Sequence, residues 1–208
     1  MLDYILEEFE KGGWVILPIF VVSFWGWVLI ANSFQNLYAQ GGLLAHLRKR
    51  IRYPRTLVKW LKEEITPKEK KSIPGRVLKK VYGVRHQGEA TMLEVLDEEL
   101  KFCLPELEKG LATLGVLAGA APLLGLLGTV SGMVGTFEVI SLFGTSNPAL
   151  MADSIAEALV TTQNGLIAAV PLMLVHIFLA NRCDKIEKET VKAAHRLINY
   201  YRLKPKRG

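Results

Sequence analysis

The stretch that decides the fold of this chain reads PLLGLLGTVSGM and runs from Pro122 to Met133. It lies inside 72 consecutive residues, Gly110 to Asn181, that contain no Lys or Arg, although the chain carries a net charge of +6. A cation-free run of this length indicates a segment withdrawn from water. Its small and hydroxyl residues indicate close packing against another helix, because such residues let helix backbones approach in lipid.

Three stretches are long and apolar enough to cross about 30 Å of hydrocarbon, which takes roughly 20 helical residues. We therefore predict an all-α membrane protein with three transmembrane helices, at residues 12–33, 110–143 and 154–180. The first helix is expected to be retained, because residues 1–11 hold four acids and one cation where a signal peptide would be basic.

The distribution of the cations predicts the orientation of the chain. Sixteen of the 26 lie between Arg48 and Lys109, nine follow Asn181, and none lies between the second and third spans. The positive-inside rule then places the N-terminus outside and the C-terminus inside. The segments outside the spans are predicted to be a periplasmic amphipathic helix at 1–11, a cytoplasmic helical domain at 38–109, a short periplasmic loop at 144–153, and a cytoplasmic C-terminal helix with a basic tail at 181–208.

The cytoplasmic part is predicted to be a helical bundle. Apolar residues spaced three or four apart from Leu93 onward predict one long helix from about Glu89 to Phe143, so that the second span extends into the cytoplasm. A similar face after Arg182 predicts the same for the third span. Glycines and prolines are expected to open this domain and divide it into short helices, at Gly41-Gly42, Pro54, Pro67 and Pro74-Gly75.

Small residues recur at helical spacing in the second and third spans, which predicts a seam of close helix packing. Simple helix–helix packing would explain such a seam, but the threonines at the same helical spacing, Thr129, Thr136 and Thr162, favour a surface that lines a contact or a channel for a second chain. The predicted helix-packing seam comprises Ala118, Pro122, Gly125, Gly128, Gly132, Ala158, Gly165 and Ala169.

The acid of the third span allows two interpretations. A carboxylate costs a few kcal/mol at the centre of a membrane and less near an end. Glu157 is therefore either buried or close to a pore, or it is solvated at the outer interface, as the nearby Asp153 would favour. Glu138 is predicted to be interfacial. The imidazole of His176 could relay protons, but a lone His at that depth is predicted to be an interface or packing residue.

Two strings carry a resemblance to a known family. They are APLLGLLGTV at 121–130 with Gly132-Met133, and IAEALVTT at 155–162 with Gly165-Leu166 and Ala169-Val170-Pro171. At this separation they resemble the ExbB/TolQ/MotA proton-channel family, specifically its three-span ExbB/TolQ branch and most closely ExbB. The resemblance is strong over residues 110–180 and rests on topology elsewhere.

The resemblance implies a stator in the bacterial inner membrane that uses the proton gradient. Family members form a pentamer around a dimer of a single-span ExbD/TolR-like partner, which brings an Asp into the pore, and they act on a TonB-like or TolA-like protein. The family's pore threonines correspond to Thr129 and Thr162, and its glutamate corresponds to Glu157. Because Glu157 and Thr162 lie about 140° apart on a helix, the lumen is assigned to the threonines, and Glu157 is given a gating or intersubunit role.

Other functions remain as alternatives. The stator could serve envelope maintenance, as TolQ does, or surface motility, and a passive membrane scaffold could use the same seam. An enzyme is not expected, since the sequence shows no nucleophile–base pair and no phosphate loop. No cofactor or metal is expected either, and Cys103 and Cys183 are predicted to be free thiols. The basic domain is expected to contact membrane lipids and not nucleic acid.

Overall fold

The computed structural model describes residues 13–51, 53–64, 66–144 and 148–203. The predicted amphipathic helix at 1–11 and the end of the basic tail at 204–208 therefore lie outside the described residues. The described residues form helices joined by short turns, and no strand occurs among them. The prediction of an all-α protein is confirmed.

Seven α-helices and one π-helical turn follow one another along the described chain. Their bounds are α1 (Ile16–Ile51), α2 (Pro54–Lys59), the π-helical turn (Trp60–Glu64), α3 (Pro67–Lys71), α4 (Ile73–Gly83), α5 (Glu89–Leu107), α6 (Leu111–Phe143) and α7 (Pro148–Arg202). Three of these helices, α1, α6 and α7, contain segments long and apolar enough to cross a membrane. The three predicted spans thus have a counterpart in the structure.

Helix α1 continues further than the sequence predicts. It runs through Gly41-Gly42, where the sequence analysis opens a separate domain, and it ends at Ile51. Two glycines lower helix stability by about 1 kcal/mol each relative to Ala, but they do not forbid a helix. The helix ends instead close to Pro54, whose ring disfavours helical backbone in the preceding residue.

The expected single helix from Glu89 to Phe143 is wrong. The structure has two helices there, because α5 ends at Leu107 and α6 begins at Leu111. Gly110 between them has φ +82°, a left-handed conformation that glycine adopts without steric cost. The second span and the helix that precedes it are therefore separate elements of the structure.

The predicted loop at 144–153 is also too long. Helix α6 ends at Phe143, and Gly144 follows with φ +62°. Helix α7 already begins at Pro148, so the segment from there to Asp153 is helical. Proline suits the first turn of a helix, because its missing N–H would have no partner there and its φ is already helical.

The chain divides into two compact units. Unit 1 contains the described residues up to Asn32 together with Gly110–Ile177, and unit 2 contains Ser33–Lys109 together with Phe178 onward. In unit 2, Pro54, Pro67 and Pro74 stand in the first turns of α2, α3 and α4, so the prolines predicted to divide this domain mark the starts of its short helices. A reciprocal capping box between Thr66 and Glu69 begins α3.

Helices α4 and α5 pack together in unit 2. Ion pairs connect them on the surface of this contact, Arg76 with Glu106 and Lys80 with Glu99. The side chain of Glu99 is about nine-tenths buried. The apolar core of the unit is formed by buried side chains, including Leu57, Trp60, Val77, Leu78, Leu96, Ile186, Ala193 and Leu197. The face predicted after Arg182 is thus part of this core.

Candidate functional site

Helices α6 and α7 meet along their smallest residues in unit 1. The buried positions are spaced three or four apart on both helices, as expected for one helical face. On α6 they are Ala118, Ala121, Gly125, Gly128 and Gly132, and on α7 they are Ala158, Thr161, Gly165 and Ala169. The two backbones can approach closely because almost no side-chain volume separates them.

The glycines of this contact have no room for a side chain. A Cβ on Gly165 would lie 2.8 Å from the carbonyl oxygen of Ala121 and 2.9 Å from the Cα of Gly125. A Cβ on Gly132 would lie 2.7 Å from the carbonyl oxygen of Ser154. Since the obstructing atoms belong to the backbone, they cannot move aside without shifting a helix.

Seven of the eight predicted seam residues are buried in the structure. They are Ala118, Gly125, Gly128, Gly132, Ala158, Gly165 and Ala169. Pro122 is half-buried beside the contact, and the fully buried residue at that level is Ala121. Ala121 and the buried Thr161 are not among the residues predicted from the sequence. Alternating steps of three and four residues along α6, passing through Ala121 and Gly128, would have identified Ala121.

Thr162 lies at the edge of the α6–α7 contact. It is half-buried, and its hydroxyl Oγ1 is 2.9 Å from the carbonyl oxygen of Gly125 and 3.2 Å from that of Ala158. The single hydroxyl proton is thus directed at backbone carbonyls, one of which belongs to the other helix. Two lone pairs of the oxygen remain as possible acceptors.

Thr129 lies one helical turn beyond Gly125 on α6, about 6 Å along the helix axis. It is half-buried, and its Oγ1 donates to the carbonyl oxygen of Leu126 at 2.7 Å. The Thr162–Gly125 bond therefore brings the two predicted pore threonines to neighbouring levels of the same helix pair. Exposed apolar side chains flank Thr129 on the helix surface, among them Leu126, Val130 and Met133.

Glu157 is not brought to these threonines. It is half-buried, and its carboxylate lies against Gly13, the residue that precedes α1 by three positions. A Cβ on Gly13 would lie 2.7 Å from the Glu157 Cδ and still closer to Oε1. On α7 it is Thr161, and not Thr162, that bonds back to the Glu157 carbonyl oxygen, at 2.8 Å. The separation of Glu157 from Thr162 agrees with the 140° that the sequence spacing requires.

Two further close contacts hold the helices of unit 1. A Cβ on Gly26 of α1 would lie 2.8 Å from a methyl carbon of the fully buried Leu172 on α7. A Cβ on Gly115 of α6 would lie 2.9 Å from the Nε2 of His176. The imidazole of His176 thus packs over a glycine, in the manner predicted for a packing residue.

The titratable groups of the described residues do not form a metal site. No group of three or more His, Cys, Asp or Glu residues within the described ranges could hold a metal ion. Cys103 and Cys183 are free and buried. The hydroxyls of Thr129 and Thr162 thus lie on a tightly packed helix pair, and the Glu157 carboxylate lies beside the start of a third helix.

Comparison with known proteins gives a match to a family and to several of its members. The model of the MotA/TolQ/ExbB proton channel family matches residues 69–192, which include all of α6 and most of α7. An ExbB homolog of Methanothermobacter thermautotrophicus, described as a biopolymer transport protein, is 27% identical over 214 residues, covering 94% of this chain and 70% of the relative.

Two other relatives differ in how much of the chain they match. A biopolymer transport protein of Synechocystis, described as ExbB-like, is 29% identical over 179 residues, covering 82% of this chain and 68% of the relative. The Tol-Pal system protein TolQ of Haemophilus influenzae is 34% identical over 86 residues, covering 41% of this chain and 38% of the relative.

Proposed function

Because the chain belongs to the MotA/TolQ/ExbB proton channel family and is a proton-channel motor subunit of the ExbB/TolQ type, we propose that several copies of it enclose a passage lined by Thr129 and Thr162. In this proposal the chain is the stator of a motor in the inner membrane. Its oligomer is a pentamer, its N-terminus is outside, and its C-terminus is inside.

The observation that carries the proposal is the hydrogen bond between Thr162 and the Gly125 carbonyl oxygen, 2.9 Å long. It fixes one hydroxyl of α7 beside α6, one turn from the second hydroxyl, at Thr129. Both hydroxyls remain half-buried in the single chain, so a neighbouring helix can still reach them. Repeated around an oligomer, the two positions would give two adjacent rings of hydroxyls with no fixed charge.

The positions of the acidic residues on α6 and α7 support a second chain that supplies the acid of the passage. Glu138 and Asp153 are exposed near the ends of α6 and α7, and the carboxylate of Glu157 lies at Gly13 and not at the threonines. An acid between the hydroxyl rings must then come from a partner, which we propose to be a dimer of an ExbD/TolR-like single-span protein. A proton crossing 100 mV releases about 2.3 kcal/mol, enough to change the protonation of one such acid.

The client of the motor is proposed to be a TonB-like protein that serves outer-membrane transport. The two relatives that cover most of this chain are named for ExbB, which supports this choice. A TolA-like client in envelope maintenance is the alternative, and the match to a TolQ protein favours it.

Replacing each threonine by valine tests the proposal, because valine keeps the shape and removes the hydroxyl. The chain and its single-span partner would be purified together and reconstituted into vesicles, in which proton uptake is followed with a pH-sensitive dye. We expect Thr129→Val and Thr162→Val each to assemble with the partner and to lose most of the uptake. Thr162→Ser, which keeps the hydroxyl, should retain it.

Thr190→Val is the matched control. Thr190 is buried in unit 2, and its hydroxyl donates to the Ile186 carbonyl oxygen at 2.7 Å, the same kind of local bond that Thr129 makes. It should conduct protons as the parent does. Normal uptake by both Thr129→Val and Thr162→Val would contradict the proposed motor and favour a scaffold.

A further inference from the structure

We propose that Gly13 is a positioning residue for the Glu157 carboxylate: its missing side chain leaves the space in which that carboxylate lies at the start of α1. The inference rests on the proposed function and on the gating or intersubunit role that the family resemblance gives to Glu157. It adds a residue outside the second and third spans to the machinery of the motor.

Two independent observations favour glycine at this position: its backbone conformation, and the space that its missing Cβ leaves for the flexible end of the Glu157 side chain. Gly13 has φ +59°, a conformation that residues with a Cβ rarely adopt. A Cβ there would also lie 2.7 Å from the Cδ and 3.4 Å from the Cγ of Glu157, and it would overlap Oε1. Alanine at Gly13 would therefore displace the carboxylate in addition to straining the turn.

Both sides of this contact are held in place. The turn at Gly13 is closed by a bond from the Ile16 N–H to the Gly13 carbonyl oxygen, 3.3 Å long, and Val15 and Ile16 behind it are buried. On the other side, Thr161 bonds to the Glu157 backbone and lies buried against Gly128. Displacement of the carboxylate thus cannot be absorbed easily by movement of the backbone on either side.

The chemistry of the location suits a carboxylate. The first N–H groups of a helix have no partner within the helix, and the helix dipole places a partial positive charge at this end. Glu157 therefore lies beside the favourable end of α1, and Gly13 determines how closely it approaches. The contact makes the position of an acid on α7 depend on the start of α1.

The experiment compares two alanine substitutions that strain the backbone in the same way. Gly144 has φ +62° but no atom within 4 Å of an added Cβ, so Gly144→Ala supplies the strain without the collision. Proton uptake would be measured in vesicles that contain the chain with its single-span partner, per amount of assembled complex. Gly13→Ala should lose at least about tenfold, as expected when a functional group is displaced by about 1 Å, and Gly144→Ala should stay near the parent.

A second pair of variants separates positioning from general damage. Aspartate is one methylene shorter, so Glu157→Asp should restore part of the uptake that Gly13→Ala loses. In a Glu157→Ala background, adding Gly13→Ala should cause no further loss, because no carboxylate remains to be displaced. Equal losses from Gly13→Ala with and without Glu157, or parental uptake by Gly13→Ala, would overturn the inference.

The outcome is distinguishable from a failure of the proposed function. If Thr129→Val and Thr162→Val abolish uptake while Gly13→Ala does not, the motor stands and the role of Gly13 falls. If the valine variants conduct normally, the proposed function falls first, and the inference falls with it.

Discussion

Gly165 of α7 faces Gly125 of α6 so closely that a Cβ on Gly165 would lie 2.9 Å from the Gly125 Cα. The same glycine pair lies beside the bond from Thr162 to the Gly125 carbonyl oxygen. The packing of the two helices and the placement of a candidate pore hydroxyl therefore depend on the same few atoms. Any increase in the distance between the helices at this level should lengthen that hydrogen bond.

Gly165→Ala should destabilise unit 1 by about 1–3 kcal/mol, the usual cost of overpacking a tight contact. The obstructing atoms are the Ala121 carbonyl oxygen and the Gly125 Cα, neither of which can rotate away. Thermal unfolding of the purified protein in detergent measures the effect. Gly119→Ala is the control, because nothing lies within 4 Å of a Cβ there, and it should be neutral or slightly stabilising.

Lys80→Met should lower the thermal stability of unit 2 more than Lys101→Met does. Lys80 pairs with Glu99, whose side chain is 10% exposed, whereas Lys101 pairs with Asp97, whose side chain is 68% exposed. Removing one partner of a buried carboxylate leaves an uncompensated charge, while an exposed pair contributes little.

The matching control for this pair of substitutions is a double variant. Combining Lys80→Met with Glu99→Gln removes the stranded charge and should recover part of the lost stability. The melting temperatures of the three variants and the parent would be compared at one pH. A lower melting temperature for Lys101→Met than for Lys80→Met would contradict the expectation that an unpaired Glu99 carboxylate lowers stability the most.

Alkaline pH should reveal the burial of Cys103. Burial raises the pKa of this thiol above its ordinary value of 9.0. Below pH 9.0 the thiol keeps its proton in the folded and unfolded states, so stability does not change with pH on its account. Above that pH the unfolded thiol ionises while the folded one does not, and the stability it contributes is lost as the pH rises through the folded pKa.

The measurement for Cys103 is the melting temperature between about pH 8 and pH 10.5. The difference between the parent and Cys103→Ala isolates this thiol from the other groups that titrate in the range. We expect the difference to be constant up to about pH 9 and then to change in favour of the alanine variant. A constant difference over the whole range would show that the folded pKa is not raised.

The orientation can be read from cysteine labelling in intact cells. In a background with Cys103→Ala and Cys183→Ala, Ser141→Cys should react with a membrane-impermeant maleimide added outside. Lys101→Cys and Lys188→Cys should react only after the membrane is opened, because both positions lie within the cation-rich segments. All three positions are exposed, so lack of reaction cannot be attributed to burial. Labelling of Lys101→Cys in intact cells would reverse the topology.

Much of unit 1 could be predicted from the sequence, because small residues that recur along one face of a membrane helix usually mark a close contact with another helix. Gly125, Gly128 and Gly132 recur at the spacing of one helix face, and close packing is the usual consequence of that pattern. The spans follow from the absence of charge over more than 20 residues. The sequence does not distinguish Ala121 from Pro122 as the buried residue, because either of them fits the spacing of the small-residue face.

The interruption between α5 and α6 at Gly110 could not be predicted from the spacing of apolar and small residues. The apolar phase passes through it without interruption, since Leu107, Leu111 and Leu114 are all buried at spacings of four and three. A glycine within a periodic pattern is compatible with a helix or with a left-handed turn, and the choice depends on tertiary packing. The contact of Gly13 with Glu157 joins residues 144 positions apart, and no local pattern reports such a pair.

The hydroxyls of Thr129 and Thr162 are left as hydrogen-bond acceptors by the bonds that they make to the backbone. Each directs its one proton to a carbonyl oxygen, of Leu126 in the first case and of Gly125 in the second. What they offer to a neighbouring molecule is lone pairs alone. In the assembly that we propose, these lone pairs would accept a hydrogen bond from a protonated carboxyl group on the enclosed helix. They would repel the same group once it is ionised. Each passing proton would therefore alternately bind the enclosed helix to the threonines and release it.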